Sequence, residues 1–150
     1  MGDAGIDEEI AERLLAAARE AATRAYVPYS SFPVGAAVLT ADGTVVSGCN
    51  VENASYGLTV CAERTAVFSA AAAGHRTIVA VAVTAPRVAT VTPCGACRQV
   101  LNEFKPRDRD LVVILEGADG PELASLGDLL PRAFGPGNVG LRTEFGGADD

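Results

Sequence analysis

The sequence predicts an α/β sandwich built on one mixed sheet. Stretches with helical periodicity alternate with strand-like runs along the chain. Two short continuous apolar runs, Ile78 to Thr84 and Leu111 to Glu116, are of the kind buried in a sheet covered on both faces. An Asp42-Gly43 pair between two β-like runs marks a hairpin, because its residues tolerate the positive φ that tight hairpin turns need. No repeat or low-complexity linker interrupts the 150 residues, so 1–150 reads as one domain.

Each element has a local reason. Residues 7 to 25 form a helix capped by Asp7, with Glu8 and Glu9 at the positive end of its dipole. Ile6, Ile10, Leu14, Ala18, Ala21 and Ala25 trace its apolar stripe. Pro28 and Pro33 break the helix and enforce an extended loop over residues 27–33. Val34 to Thr40 and Thr44 to Glu52 flank the hairpin turn, and an Ala-rich helix over 62–74 ends at Gly74. The strand Ile78 to Thr84 follows. A helix then opens after Pro93-Cys94 and runs to about Phe104, ahead of the strand Leu111 to Glu116. Leu126 to Phe134 reads as a short last helix, and about 136–150 as a loose, acidic, Gly-rich tail.

Composition narrows the function. The chain is 49% hydrophobic and 21% charged, the balance of a globular protein. Twelve basic residues against nineteen acidic ones leave a net charge of −7. Nucleic-acid affinity comes largely from neutralising phosphates, and this chain carries no overall basic footprint. No apolar run reaches the length of a membrane span. The N-terminus carries Asp3 where a signal peptide carries base, and Gly2 lacks the Ser or Thr at position 6 that myristoylation prefers. A cytoplasmic protein with a small neutral ligand is expected, and neither nucleic acid nor membrane as partner.

A reducing compartment turns the four cysteines, Cys49, Cys61, Cys94 and Cys97, toward metal or catalysis rather than disulfides. His75 is the one histidine, so a zinc site here is mostly thiolate; His75 itself reads as a solvated residue at a helix end. Pro93-Cys94-Gly95-Ala96-Cys97 opens a helix, where free amides and the dipole stabilise a thiolate. Cys61-Ala62-Glu63 stands at another helix start. Residues two apart share no helix face, so Cys61 and Glu63 converge only if Cys61 sits at the cap. Three thiolates from two helix starts hold zinc and leave a fourth position open for water, whose pKa zinc lowers to about 7. Glu63 then serves to move protons between that water and a substrate.

The same motif fits a redox C-x-x-C pair or half of a structural zinc knuckle. Redox pairs of the thioredoxin type follow the first sheet strand, and this motif lies late in the chain. A closed structural site needs Cys49 as fourth ligand. Strand alternation argues against it: if Asn50 and Glu52 face the pocket, Cys49 and Val51 face away, and Cys49 becomes a small buried core residue.

Four segments carry a closer resemblance: 31–37 (Ser-Phe-Pro-Val-Gly-Ala-Ala), 49–56 (Cys-Asn-Val-Glu-Asn-Ala-Ser-Tyr), 61–66 (Cys-Ala-Glu-Arg-Thr-Ala) and 93–100 (Pro-Cys-Gly-Ala-Cys-Arg-Gln-Val). C-A-E followed by P-C-x-x-C is the signature of zinc-dependent nucleobase deaminases. With Leu129-Leu130-Pro131, the chain resembles a small homotetrameric cytidine deaminase over about residues 10 to 135. The resemblance implies a three-layer αβα sandwich with roughly five strands and one zinc ion per chain. It implies that Cys61, Cys94 and Cys97 bind the zinc and that Glu63 shuttles protons. Phe32 would pack beside the nucleoside, Asn50 and Glu52 would hold a sugar hydroxyl, and the Ala62 amide would meet the pyrimidine oxygen. Arg64 would temper the charge of three thiolates; read without the resemblance, it is a solvated charge on a helix surface. Ala54, Tyr56 and Phe134 match positions that reach a neighbouring subunit's pocket. From the residues alone, Phe134 is a core anchor of the last helix and Tyr56 a loop aromatic.

The implied reaction is hydrolytic deamination of cytidine and 2′-deoxycytidine to uridine and 2′-deoxyuridine, with release of ammonia, in pyrimidine salvage. A deaminase of another cytosine nucleoside, such as blasticidin S, shares the zinc motifs and the tetramer. Glu52 and the segment from Phe32 to Ala37 favour the cytidine branch. A structural zinc module is the non-enzymatic alternative; it requires four sulfur ligands and gives Glu63 no task.

Overall fold

The computed structural model describes residues 5–140. Its elements run α1 (Glu8–Ala22), β1 (Gly35–Thr40), β2 (Val45–Cys49), α2 (Ala62–Ala72), β3 (Ile78–Thr84), α3 (Gly95–Phe104), β4 (Val112–Gly117), β5 (Gly120–Ser125), α4 (Leu126–Leu129) and α5 (Pro136–Val139), with a 3₁₀ turn at Tyr56–Leu58. Five strands form one sheet in the order β2-β1-β3-β4-β5. Only β3 and β4 pair in parallel; the other neighbours are antiparallel, so the sheet is mixed as the sequence predicts.

Helices cover both faces. Leu14, Leu15 and Ala18 of α1 pack on Ala37, Leu39, Ala80, Ala82 and Ile114. Ala66 and Val67 of α2 and Leu101 of α3 pack on Ala36, Val38, Val81 and Val113. Alternate residues of each strand thus feed opposite layers, and all six residues of β1 and all seven of β3 are buried. This is the three-layer αβα arrangement.

Local signals behave as their chemistry requires. Asp7 caps α1 by accepting from the Ile10 amide at 2.8 Å. In the hairpin, Asp42 accepts from Thr40 Oγ1 and the Thr44 amide, and Gly43 takes φ +91°. Two glycines set the depth at which helices seat on the sheet. A Cβ at Gly35 would lie 1.8 Å from the Ala18 carbonyl oxygen of α1, and one at Gly48 would lie 2.5 Å from the Ala66 amide of α2.

Some expectations need correction. The sequence does not predict β5, because Pro121 and Glu122 disfavour a strand; β5 is an edge strand bonded only to β4, which tolerates them. The last helix stops at Leu129 instead of Phe134, since Pro131 cannot continue it and Arg132 turns to φ +55°. Residues 136–139 form the short helix α5 rather than the start of a loose tail; residues 141–150 of that tail lie outside the described residues. His75 is half-buried rather than solvated, its Nδ1 reaching from beyond α2 to 3.6 Å from Oδ2 of Asp42 in the hairpin turn.

Candidate active site and metal centre

Two helix starts meet on one side of the sheet. Cys61 is the N-cap of α2, with ψ 156°, and Cys94 is the N-cap of α3, with ψ 170°. Both are extended, so each side chain leaves the chain just before the helix closes. Cys61 is held from upstream by the paired backbone bonds of Val60 with Val51, at 2.9 and 3.0 Å. Downstream, the Thr65 amide donates to its carbonyl at 3.1 Å. Cys94 is fixed by Arg98: the Arg98 amide donates to Cys94 O at 2.9 Å, Nε to Pro93 O at 2.7 Å and Nη1 to Leu129 O at 2.7 Å. No sequence signal marks Arg98 for this task, because its partner at Leu129 is distant along the chain.

The sulfurs of Cys61, Cys94 and Cys97 all lie within 4.8 Å of one another, and those of Cys61 and Cys94 are 3.7 Å apart. Tetrahedral zinc with Zn–S bonds of about 2.3 Å requires sulfurs about 3.7–3.8 Å apart. The donor set and spacing fit zinc. Cys49 does not join them: it pairs with Gly35 across β1–β2, faces the α1 layer, and its Sγ contacts the Arg24 carbonyl at 3.5 Å. Cys49 thus faces away from the triad as expected, although β2 ends there and Cys49 is half-buried rather than a core residue. Three sulfurs, not four, are gathered among the described residues.

The electrostatics favour a thiolate at Cys61. The hydrogen bond from the Cys97 thiol pulls Cys61 down to about 5, with Arg64 and Cys94 adding to the effect against burial. Cys97, wholly buried and donating to Cys61, is pushed up and keeps its proton. Arg64 Nη2 donates to Cys61 Sγ at 3.4 Å, and this bond holds the guanidinium firmly protonated. Its Nε is buried without a partner among the described residues. Arg64 is thus turned into the thiol cluster and is no solvated surface charge. Glu63, only 4% exposed, stands beside it. Burial pushes the Glu63 carboxyl up to about 7; its own backbone amide opposes this, and the Cys61 charge reinforces it. A carboxyl poised near neutrality can both take and give a proton.

A second cluster surrounds Glu52. Its carboxylate accepts from the Tyr29 amide at 2.9 Å, the Ser30 amide at 3.1 Å and the Ser30 hydroxyl, and the hydroxyl bond leads in holding its pKa below the ordinary value. Asn50 braces the same loop, donating to Phe32 O and accepting from the Val34 amide, both at 2.9 Å. Tyr29, Ser30, Glu52, Tyr56 and Thr59 line a cavity of about 230 Å³, with the Tyr29 and Tyr56 rings edge to face at 5.7 Å. Neither Tyr29 nor Ser30 stands out in the sequence as a site residue. Ala62 is buried at the first position of α2, whereas Ala54 and Tyr56 are exposed. Phe134 is 63% exposed, so it is not a core anchor; its carbonyl accepts from Gln99 at 2.9 Å and Asn102 at 3.1 Å.

A family model described as "Cytidine and deoxycytidylate deaminase zinc-binding region" matches residues 8–115. The chain belongs to this family. It is 46% identical over 134 residues to a cytidine deaminase of Sporosarcina psychrophila, covering 89% of this chain and 97% of that protein. To a cytidine deaminase of Halalkalibacterium halodurans it is 50% identical over 123 residues, 82% of this chain and 92% of the other. Among solved structures, a cytidine deaminase from Burkholderia pseudomallei superposes with TM-score 0.74 at 52% identity, covering 82% of this chain and 98% of that one. The thiol triad at two helix starts lies within the matched residues and fits the zinc that the family description names. No helix of the described residues is long and apolar enough to cross a membrane.

Proposed function

We propose that the chain catalyses the hydrolytic deamination of cytidine and 2′-deoxycytidine to uridine and 2′-deoxyuridine, releasing ammonia. One observation carries this reading: three thiols from two helix starts converge beside a buried glutamate whose pKa lies near neutrality. Cys61, Cys94 and Cys97 hold one zinc ion, which when bound supplies the Lewis acidity that activates water.

The remaining steps belong to the chain. Glu63 takes a proton from the attacking water and gives it to N3 of the cytosine ring, which makes C4 electrophilic. As a C–O bond forms at C4, the water's second proton passes through Glu63 to the amine. The C4–N bond then breaks and ammonia leaves. One carboxylate serves twice because it is regenerated between the transfers. The Ala62 amide, at the free N-terminal end of α2, meets the pyrimidine oxygen. Phe32 packs beside the nucleoside, and Asn50 and Glu52 receive the sugar hydroxyl. Arg64 offsets the charge of three thiolates.

A homotetramer completes the site, with Ala54, Tyr56 and Phe134 reaching a neighbour's pocket. Two features support this. The cavity beside Glu52, about 230 Å³, is below the usual range of about 300–1,000 Å³ for a small-molecule site. Tyr26, Val51, Tyr56 and Leu58 are also exposed at 56%, 42%, 74% and 65%, and Tyr26 and Val51 are bridge partners, apolar surface of the kind a subunit contact covers. The absence of an overall basic footprint, at net charge −7, supports a free nucleoside over a polynucleotide as substrate. A cytoplasmic role in pyrimidine salvage follows from that substrate. The test is to mix the protein with cytidine and follow the ultraviolet change of its conversion to uridine. Conversion of both nucleosides is expected; none by zinc-replete protein overturns the reading.

A further inference from the structure

The loop from Val27 to Val34 is held mostly by partners within itself or just beyond β2. The Ser31 amide donates to Val27 O at 3.0 Å and the Phe32 amide to Ser30 Oγ at 3.0 Å, while Asn50 and Glu52 brace the rest. Among the described residues, one bond comes from elsewhere. Arg87 Nη1 donates to the Ser31 carbonyl at 2.5 Å. Arg87 lies in the segment 85–94 between β3 and α3, which ends at Pro93 and the metal ligand Cys94. That segment is anchored independently. Thr90 Oγ1 donates to Glu116 O at 2.8 Å, and the Glu116 carboxylate is gripped by Arg19 at 2.6 and 2.9 Å and by Thr84 at 2.9 Å.

Ser31 has φ +55°, a conformation a residue with a Cβ adopts only when its surroundings hold it there. A charge-assisted bond to its carbonyl is such a restraint. Without it, the positive φ of residue 31 is held only by the loop's own bonds, so the conformation that aims the chain into Phe32 is weakened. We infer that Arg87 is a positioning residue: it ties the Ser31 peptide to the zinc-ligand segment and thereby fixes Phe32 against the bound nucleoside. The inference deepens the proposed function and rests on Phe32 packing beside the substrate. A residue acting this way aids ground-state and transition-state binding alike, so its loss raises KM and spares kcat.

The experiment compares zinc-loaded wild type, Arg87→Ala, Arg87→Lys, Phe32→Ala and the Arg87→Ala/Phe32→Ala double variant on cytidine. Arg87→Ala is expected to raise KM about three- to tenfold. Its kcat should stay within about twofold and its zinc content should match wild type. Arg87→Lys recovers part of the loss, since an ammonium also donates to a carbonyl. The double variant binds no more weakly than Phe32→Ala, because both changes act through one contact. A raised KM in Phe32→Ala with an unchanged KM in Arg87→Ala overturns the role of Arg87 alone. Unchanged KM in both overturns the loop as a substrate surface, and this inference with it. Additive losses, or a loss confined to kcat and zinc content, also overturn it.

Discussion

Replacing Glu63 with Gln separates two consequences of burying one carboxyl. The amide keeps the shape but neither takes nor gives a proton. General acid–base participation contributes about 10²–10⁴-fold per transfer, and Glu63 serves two, so kcat should fall by about 10⁴ or more, equal to about 5.5 kcal/mol. Stability should move the other way. The Glu63 carboxyl sits at about 7 in the folded chain against an ordinary 4.5, and it is only 4% exposed. Between those two pH values the unfolded chain releases this proton while the folded chain keeps it, so folding stability falls as pH rises through the window. Each pH unit of that window costs about 1.36 kcal/mol, so above about pH 7 the cost is fully developed at about 3 kcal/mol. Gln carries no charge and avoids that cost. In chelator-stripped protein, urea unfolding should show Glu63→Gln more stable by about 3 kcal/mol at pH 8 and equal to wild type at pH 4. With zinc restored the gap narrows, since the cation favours the carboxylate. A variant with kcat within tenfold of wild type, or a stability gap of the same size at both pH values, refutes the reasoning.

Cys94→Ala removes one of three sulfurs, and metal analysis should find zinc far below one per chain; a full, tightly held complement would mean that the ligand set is wrong. Arg64→Ala should keep the zinc but leave the thiolate charge uncompensated, lowering kcat/KM about tenfold and moving the acidic limb of the pH–rate profile upward. An unmoved profile would return Arg64 to a surface role. Gly35→Ala forces a Cβ to 1.8 Å from the Ala18 carbonyl oxygen and 2.6 Å from the Ala22 amide, so denaturant unfolding should show a loss of about 3 kcal/mol. A loss under about 0.5 kcal/mol would mean that α1 rides freely on the sheet.

What is legible in the sequence is what local chemistry decides. The Asp7 cap, the Asp42-Gly43 turn and the strand Ile78–Thr84 are each settled by neighbours a few residues away. The metal centre is legible for the same reason: a cysteine before a helix can only be a cap, and the cap is where Cys61 and Glu63 converge. What escapes depends on tertiary neighbours. The edge position of β5 excuses a proline that a central strand would reject. Asn50 spends its amide on the backbone of Phe32 and Val34, so whatever it offers a sugar is shared with loop support. Arg87 and Arg98 reach carbonyls 56 and 31 residues away, distances at which no periodicity speaks.

The charge arrangement explains why the site stands at two helix starts. Three thiolates around a dication carry a net charge of −1, and the Arg64 guanidinium beside Cys61 returns the sum to zero. Each helix start adds about half a positive charge where Cys61 and Cys94 leave the chain. The hydrogen bond from the Cys97 thiol, with Arg64 adding to it, draws the Cys61 pKa down to about 5 before any metal arrives, whereas Cys97 holds its proton. Zinc capture at neutral pH must expel the proton that Cys97 holds, so the affinity rises with pH. The burial that adds to the Cys61 hydrogen bond in holding the Cys97 proton is also the leading cause that raises the Glu63 carboxyl toward neutrality. A more polar lining would ease the burial of both groups and deprive the carboxyl of the pKa that lets it carry protons in each direction.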